Sequence, residues 1–304
     1  MQDNLFDLII IGAGPAGITG AVYAARKGLN FLVLTGDIGG QAAWSSDIEN
    51  YTGYQFVSGA ELTIKFEEHM KKYNIDIREN EPAGELSREG DIVLVKTAKT
   101  EYAAKSVVIA SGKQSKELGV PGEKEFRNKG LAYCATCDGP LFAGKDVAVI
   151  GGGNSALDAA LQLIKIAKKI FIVNISPELG GDAVMRDKVI KSGKVIVMNN
   201  TRVTGVLGDK FVSGISVSNK EGERELAVEG VFVEIGLIPN SDFAADIEKN
   251  DQGEIKVNCR NETNVKGVFA AGDVTDVPEK QIIIAAGEGS KAVLTASRYL
   301  AIQE

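Results

Sequence analysis

The sequence predicts an α/β chain built from two Rossmann-like domains, each a parallel sheet with flanking helices and an added β-meander. Three observations carry this. A strand, Leu5 to Ile11, runs into Gly12-Ala13-Gly14-Pro15-Ala16-Gly17 and then a helix-like run. A second strand, Lys145 to Ile150, runs into Gly151-Gly152-Gly153-Asn154-Ser155-Ala156 and a second helix. Each unit continues into a further apolar strand and short alternating runs, as in a β-α-β unit extended by a meander.

In the first turn, Gly12 permits the tight bend, Gly14 lets a pyrophosphate approach the backbone, and Gly17 lets the helix pack on the sheet. The helix N-terminus then faces the anion. The helix is expected over Ala16 to Lys27 and the next strand over Phe31 to Leu34. The acid that usually holds the ribose would fall near position 35, which is Thr35; Asp37 stands two residues on. A loop from Gly36 to Tyr54 follows, with Gly39-Gly40-Gln41, the only tryptophan, Trp44, and Glu49-Asn50-Tyr51. Loops of this length often serve function. A helix is expected over Gly59 to Tyr73. Strands are expected over Ile75–Arg78, Ile92–Lys96 and Tyr102–Ile109.

Between the two glycine turns lies Cys134-Ala135-Thr136-Cys137-Asp138. A Cys-x-x-Cys pair can close a small disulfide ring or hold one thiol at depressed pKa, and the adjacent acid can supply a proton. The same pair could be half of a zinc site. The chain offers only Cys259 and the single histidine, His69, as further ligands, so no metal is expected. Beyond the second turn a helix is expected over Ala156 to Ala167, a strand over Ile170–Val173, a helix near Ala183–Lys191, a strand over Val195–Met198, and strands within 202–234. Ile235 to Asn240 marks a return crossing. A strand over Val268–Ala271, Gly272-Asp273, Gln281-Ile282 and a helix over Gly287–Leu300 close the chain.

The 304 residues suffice for about two domains. A net charge of −7 argues against nucleic acid, whose binding rests on cationic contacts to phosphate. No basic-then-apolar leader and no apolar run of about 18 residues is evident, so no membrane span and a cytoplasmic location are expected.

Taken together, Gly12 to Gly17, Gly39-Gly40-Gln41, Glu49-Asn50, Cys134 to Asp138, Gly151 to Ala156, Ala271-Gly272-Asp273 and Gln281-Ile282 resemble the low-molecular-weight thioredoxin reductases over nearly the whole chain. The resemblance implies the FAD/NAD(P) disulfide reductase fold. It implies an FAD domain from residues 1–116 and 241–304, and a middle domain, 117–240, that carries the dithiol. It implies a homodimer with thioredoxin as partner. Cys137 would face the flavin, Cys134 would attack thioredoxin, and Asp138 would donate a proton. Gly12, Gly14, Pro15, Ala16, Gly17, Thr35, Gly40, Gln41, Asn50, Gly272, Asp273, Gln281 and Ile282 would look onto FAD.

One departure bears on the electron donor. The family's His-Arg-Arg run, which takes the NADPH 2′-phosphate, is replaced here by Asn174-Ile175-Ser176-Pro177-Glu178, with no arginine until Arg186. A 2′-phosphate needs a cationic partner and an NAD site needs an acid, and position 174 is a neutral amide. A divergent NADPH site would have to use Lys168, Lys169 or Arg186. The sequence is similar to the ferredoxin-dependent flavin thioredoxin reductases, which lack the nicotinamide motifs. Ferredoxins near about −400 mV lie below thioredoxin near about −270 mV, roughly 6 kcal/mol downhill for two electrons. An acidic ferredoxin calls for a basic patch, with Lys165, Lys168, Lys169, Lys188, Lys191 and Lys194 as its members. The alternatives are an NADPH enzyme, a dithiol oxidase that passes electrons to oxygen, and a flavin-binding module with an idle dithiol. The longer peroxiredoxin reductases are not expected, because they need a thioredoxin-like segment ahead of the first strand.

Overall fold

The computed structural model describes residues 5–44, 48 and 50–303; the side chains of Trp44, Thr136 and Cys137 fall outside that description, as does Glu49. The chain divides into two units, Met1–Gln114 with Ile238–Glu304, and Ser115–Leu237.

The first unit opens with β1 (Leu5–Ala13), whose Leu8 to Ile11 are buried on both faces, as a central parallel strand requires. Helix α1 (Pro15–Arg26) starts with proline in its first turn, where a missing N–H costs nothing. Strand β2 (Phe31–Ile38) leads through a 3₁₀ turn (Gly40–Trp44) to α2 (Gly59–Lys71). Ser58 and Glu61 close a capping box at the start of α2. Strands β3 (Ile77–Arg78), β4 (Ala83–Glu89), β5 (Ile92–Thr97) and β6 (Glu101–Ile109) follow. The chain then leaves through β7 (Lys113–Ser115), a strand that pairs with β16 (Leu237–Pro239) on the way back.

Between these crossings, the second unit runs α3 (Glu123–Phe126), β8 (Leu131–Ala132), α4 (Ala135–Asp138), β9 (Asp146–Ile150), α5 (Asn154–Ile164) and β10 (Lys169–Val173). It continues with α6 (Ala183–Lys191), β11 (Val195–Met198), β12 (Arg202–Gly208), β13 (Val212–Asn219), β14 (Gly222–Ala227) and β15 (Gly230–Val233). The first unit is completed by β17 (Val268–Ala270) and α7 (Ile282–Gln303).

The first sheet has the order β3-β2-β1-β6-β5-β4, with β17 also paired to β6. Strand β6 pairs with three strands, β1 along one side and two others in succession along the opposite side. Its first half runs antiparallel to β5, Leu94 opposite Ala103, and its second half runs parallel to β17, Val107 opposite Val268. A parallel sheet and a meander therefore share one strand. The second unit separates the same parts: a parallel sheet β11-β10-β9-β15-β8 and a detached antiparallel meander β12-β13-β14. The described fold is thus the two-fold α/β plan with Rossmann-like parallel sheets.

Strand β4 and helix α7 are among the elements that differ from the sequence expectation. Strand β4 has no counterpart there, because it lies at the sheet's edge and buries only Leu86 among polar neighbours. Helix α7 starts at Ile282, five residues before Gly287. Its glycines suggest a break to a sequence reading, but Gly289 is a packing residue. A Cβ on Gly289 would collide with the Ala16 carbonyl of α1, and one on Gly20 would sit 3.1 Å from Val293 Cγ2. The backbones of α1 and α7 meet there without intervening side chains. Gly289→Ala is expected to force the two helices apart and lower stability by about 1–3 kcal/mol, the usual range for overpacking, measured by urea unfolding.

Candidate active site

In the first unit the glycines of the turn divide by purpose. A Cβ on Gly12, at φ +104°, would strike the Ala110 carbonyl, and one on Gly17 would strike the Gly12 carbonyl. Packing demands both. Gly14 has extended backbone, and a Cβ there would meet only the Gly39 carbonyl oxygen at 4.0 Å. The fold tolerates a side chain at Gly14, so its absence keeps an approach open. Helix α1 begins at this point with no side-chain cap and no acid in its first turn. Its first N–H groups therefore face outward without a protein acceptor from a cap, as an anion site requires.

Other predicted residues converge on the same edge. The Gly39 N–H donates to the Ala13 carbonyl at 2.7 Å, and a Cβ on Gly40 would lie 3.3 Å from Gly14 Cα. Gln41 Nε2 donates to the Lys113 carbonyl at 3.0 Å, and Asn50 Nδ2 donates to Gln281 Oε1 at 2.9 Å. Ile282, at the start of α7, packs against the buried cluster of Ile48, Val57 and Leu62. Gly272 brings its turn against α1, its hypothetical Cβ 3.0 Å from Ala16 Cβ. Asp273 follows it. Burial raises the Asp273 carboxyl above its usual range, opposed by the charges of Lys280 and Lys113.

Thr35 is differently employed. It is 3 % exposed, its hydroxyl accepts the Ala13 N–H at 3.1 Å, and it donates to the Asp37 carbonyl. It braces the turn from inside, whereas the Asp37 side chain is exposed. Sequence reasoning also missed Glu254, which binds Lys113 at 2.6 Å and Lys280 at 3.1 Å. Burial works to raise its carboxyl, but hydrogen bonds from Lys113, Asn250 and Lys280 outweigh this and hold it at about 2. That ion cluster fixes the two lysines nearest in effect to Asp273. No local motif marks it, because its members are 141 and 26 residues apart in sequence.

The dithiol lies in the second unit. Cys134 is disulfide-bonded, and the Asp138 N–H donates to its carbonyl at 3.1 Å, closing the single turn of α4. Burial raises the Asp138 carboxyl, so it retains a proton at higher pH than a free aspartate. Among the described residues, Cys259 is a free, exposed cysteine and no His/Cys/Asp/Glu group is placed to hold a metal.

The second glycine turn is partly closed by its own chain. A Cβ on Gly152 would strike the Asn174 amide. Asn174 is 3 % exposed and its Nδ2 donates to the Glu178 carbonyl at 2.8 Å, the Ser176 carbonyl at 3.2 Å and Asn199 Oδ1 at 3.0 Å. Asn154 Oδ1 accepts the Asp182 N–H at 2.7 Å, which ties the far end of the 174–182 segment to the start of α5. Lys168 and Lys169 stand at the start of β10, a strand-length of roughly 15 Å from the edge where the glycine turn sits. The Arg186 guanidinium donates to the Leu179 carbonyl at 3.0 Å.

The donor set in the first unit fits FAD. The uncapped start of α1 and the open face of Gly14 suit the pyrophosphate, and Asp37, Asn50, Gln281 and Asp273 supply polar groups on the same edge.

Residues 6–289 match the family "Pyridine nucleotide-disulphide oxidoreductase". The F component of the alkyl hydroperoxide reductase of Pseudomonas putida is 43% identical over 303 residues, which are 97% of this chain and 58% of that protein. The chain thus spans little more than half the length of such curated relatives. The crystal structure of Lactococcus lactis thioredoxin reductase superposes with a TM-score of 0.81 at 32% identity, covering 98% of this chain and 99% of that one. A ferredoxin-flavin thioredoxin reductase from Clostridium acetobutylicum gives 0.55 at 31% identity, covering 98% and 99%. Overall similarity therefore does not single out the ferredoxin-dependent branch.

Gly14→Ala is expected to leave the unfolding midpoint close to wild type while lowering FAD affinity about tenfold or more, equivalent to at least ~1.4 kcal/mol. The flavin-to-protein absorbance ratio after dialysis checks it.

Proposed function

The chain belongs to the pyridine nucleotide-disulphide oxidoreductase family, and from that premise we propose that it is a flavin-dependent reductase of thioredoxin, fed by reduced ferredoxin. Thioredoxin reductase-like members of this family bind FAD. The observation that carries the reading is the disulfide-bonded Cys134 in the α4 turn, followed by a partly buried Asp138. FAD, when bound, supplies two-electron reduction of a disulfide and can itself be filled one electron at a time.

The chain's own residues have separable tasks. The start of α1 and Gly14 bind the pyrophosphate, with Gly12, Pro15, Ala16 and Gly17 shaping the turn. Gly40, Gln41, Asn50, Gly272, Asp273, Gln281 and Ile282 surround the rest, and Thr35 holds the turn's backbone. Cys134 attacks the partner's disulfide, Cys137 resolves the mixed disulfide, and Asp138 delivers a proton to the departing thiolate. The active form is a homodimer in the cytoplasm.

The ferredoxin assignment rests on the second unit. Asn174 is spent on internal hydrogen bonds, and of the three cations available for a 2′-phosphate, two stand at the wrong end of β10. The exposed Lys165, Lys168, Lys169, Lys188, Lys191 and Lys194 gather at that far end, where α5 and α6 finish and β10 and β11 begin. Lys194 Nζ reaches the Ile164 and Ala167 carbonyls, joining the two helix ends. Such an edge suits an acidic carrier.

A pyridine-nucleotide donor is the second reading. It is favoured by the retained glycine turn, whose helix α5 also starts without a side-chain cap. Anaerobic mixing separates the two. Reduced ferredoxin is expected to bleach the flavin band, while NADPH at micromolar concentration leaves it unchanged. Prompt bleaching by NADPH would assign the donor to the nucleotide.

A further inference from the structure

Strands β8 and β15 run parallel, with Phe232 opposite Ala132. Glu234 directly follows the end of β15, and Cys134 lies two residues past the end of β8. The Glu234 backbone N–H donates to the Ile150 carbonyl at 2.8 Å, which fixes it at the end of the ladder. Its side chain is largely withdrawn from solvent and its carboxylate accepts the N–H of Ala135, the residue after the disulfide-bonded Cys134.

Burial pushes the Glu234 carboxyl up to about 7; the Ala135 N–H opposes this and the charge of Asp158 adds to it. The charged and titratable groups around it come from two elements. Helix α4, which begins at Ala135, follows Cys134 directly and carries Asp138. Helix α5 brings Asp158, whose carboxylate accepts Gln162 Nε2 at 2.8 Å. The adjoining turn at Gly151 carries no charge.

We propose that Glu234 is a positioning residue for the dithiol: ionised, it orders the Cys134–Ala135 peptide and opposes a thiolate at Cys134, and protonated, it leaves that thiolate unopposed. The proposal rests on the reading that Cys134 cycles between disulfide and thiol. A like charge beside a thiol favours its neutral form, and the thiolate is the nucleophile. The charge state of Glu234 therefore sets how much attacking thiolate exists on either side of neutral pH. Without Glu234 the peptide after Cys134 would lose an acceptor for the Ala135 N–H, a loss distinct from that of the charge.

The test needs neither ferredoxin nor thioredoxin, so it remains readable if the electron route is wrong. The full chain with Cys259→Ser, which removes the exposed free thiol, is reduced with excess dithiothreitol. The external dithiol becomes a disulfide while the protein's S–S bond becomes two thiols, with both protons coming from the reagent. After anaerobic desalting, the rate of iodoacetamide addition at Cys134 is followed by mass spectrometry from pH 5 to 10. With Glu234 present, the profile is expected to show an inflection near pH 7 besides that of the thiol. Glu234→Gln keeps an acceptor for the Ala135 N–H but does not ionise. It is expected to lose that inflection and to alkylate about threefold or more faster at pH 8. A single thiol inflection with Glu234 present, or a Glu234→Gln profile superimposable on it, would overturn the proposal. The first of these outcomes is read without the variant and does not depend on the variant folding.

Discussion

The backbone N–H groups that begin α1 receive no side-chain cap from the chain, and the turns at Gly12, Gly39, Gly40 and Gly272 close in around that helix start. A helix start left this way at the carboxyl edge of a parallel sheet suits an anion where space is also left for it. The glycines around it are not interchangeable. Gly12 and Gly17 let backbone touch backbone, while Gly14 keeps space clear on the outer side. Strand β6 lies between β1 and β17 and runs parallel to both, and the Gly272 turn that follows β17 meets the first turn of α1. Residues separated by most of the chain thereby share one edge.

The second unit repeats the strand, turn and helix but treats the corresponding edge differently. Its glycine turn is held by its own following segment, through Asn174 beside Gly152 and Asp182 on Asn154. The dithiol and Glu234 sit at the same carboxyl edge, because β8, β9 and β15 run parallel and end together. One duplicated scaffold thus ends differently in its two copies: a turn left open at Gly14 in one, and in the other a turn held by its own chain, with the disulfide-bonded Cys134 and carboxyls raised by burial at the same edge.

Much of this was legible in the sequence. The β1 turn and α1 could be read because glycine spacing, proline and an apolar run coincide within a short stretch. Cys134 and Asp138 could be read because their chemistry is local. Strand β4 could not, since an edge strand with one buried residue has no apolar alternation to detect. The start of α7 was hidden by Gly287 and Gly289, which look like breaks, although Gly289 is where α1 packs against the helix. Thr35 was expected to look onto FAD; that its hydroxyl braces Ala13 follows from the pairing of β1 with β2 and has no local signal in the sequence. Glu234 and Glu254 depend on partners far away in sequence, and nothing in their own neighbourhoods announces them.

The central claim is that a flavin held in the first unit exchanges electrons with the Cys134 disulfide of the second. The most direct measurement reduces the bound flavin photochemically without oxygen, then counts titratable thiols after unfolding in the dark. The account predicts two thiols per chain beyond Cys259, with the flavin returning to its oxidised spectrum as they form. A flavin that stays reduced while only the Cys259 thiol titrates would contradict it.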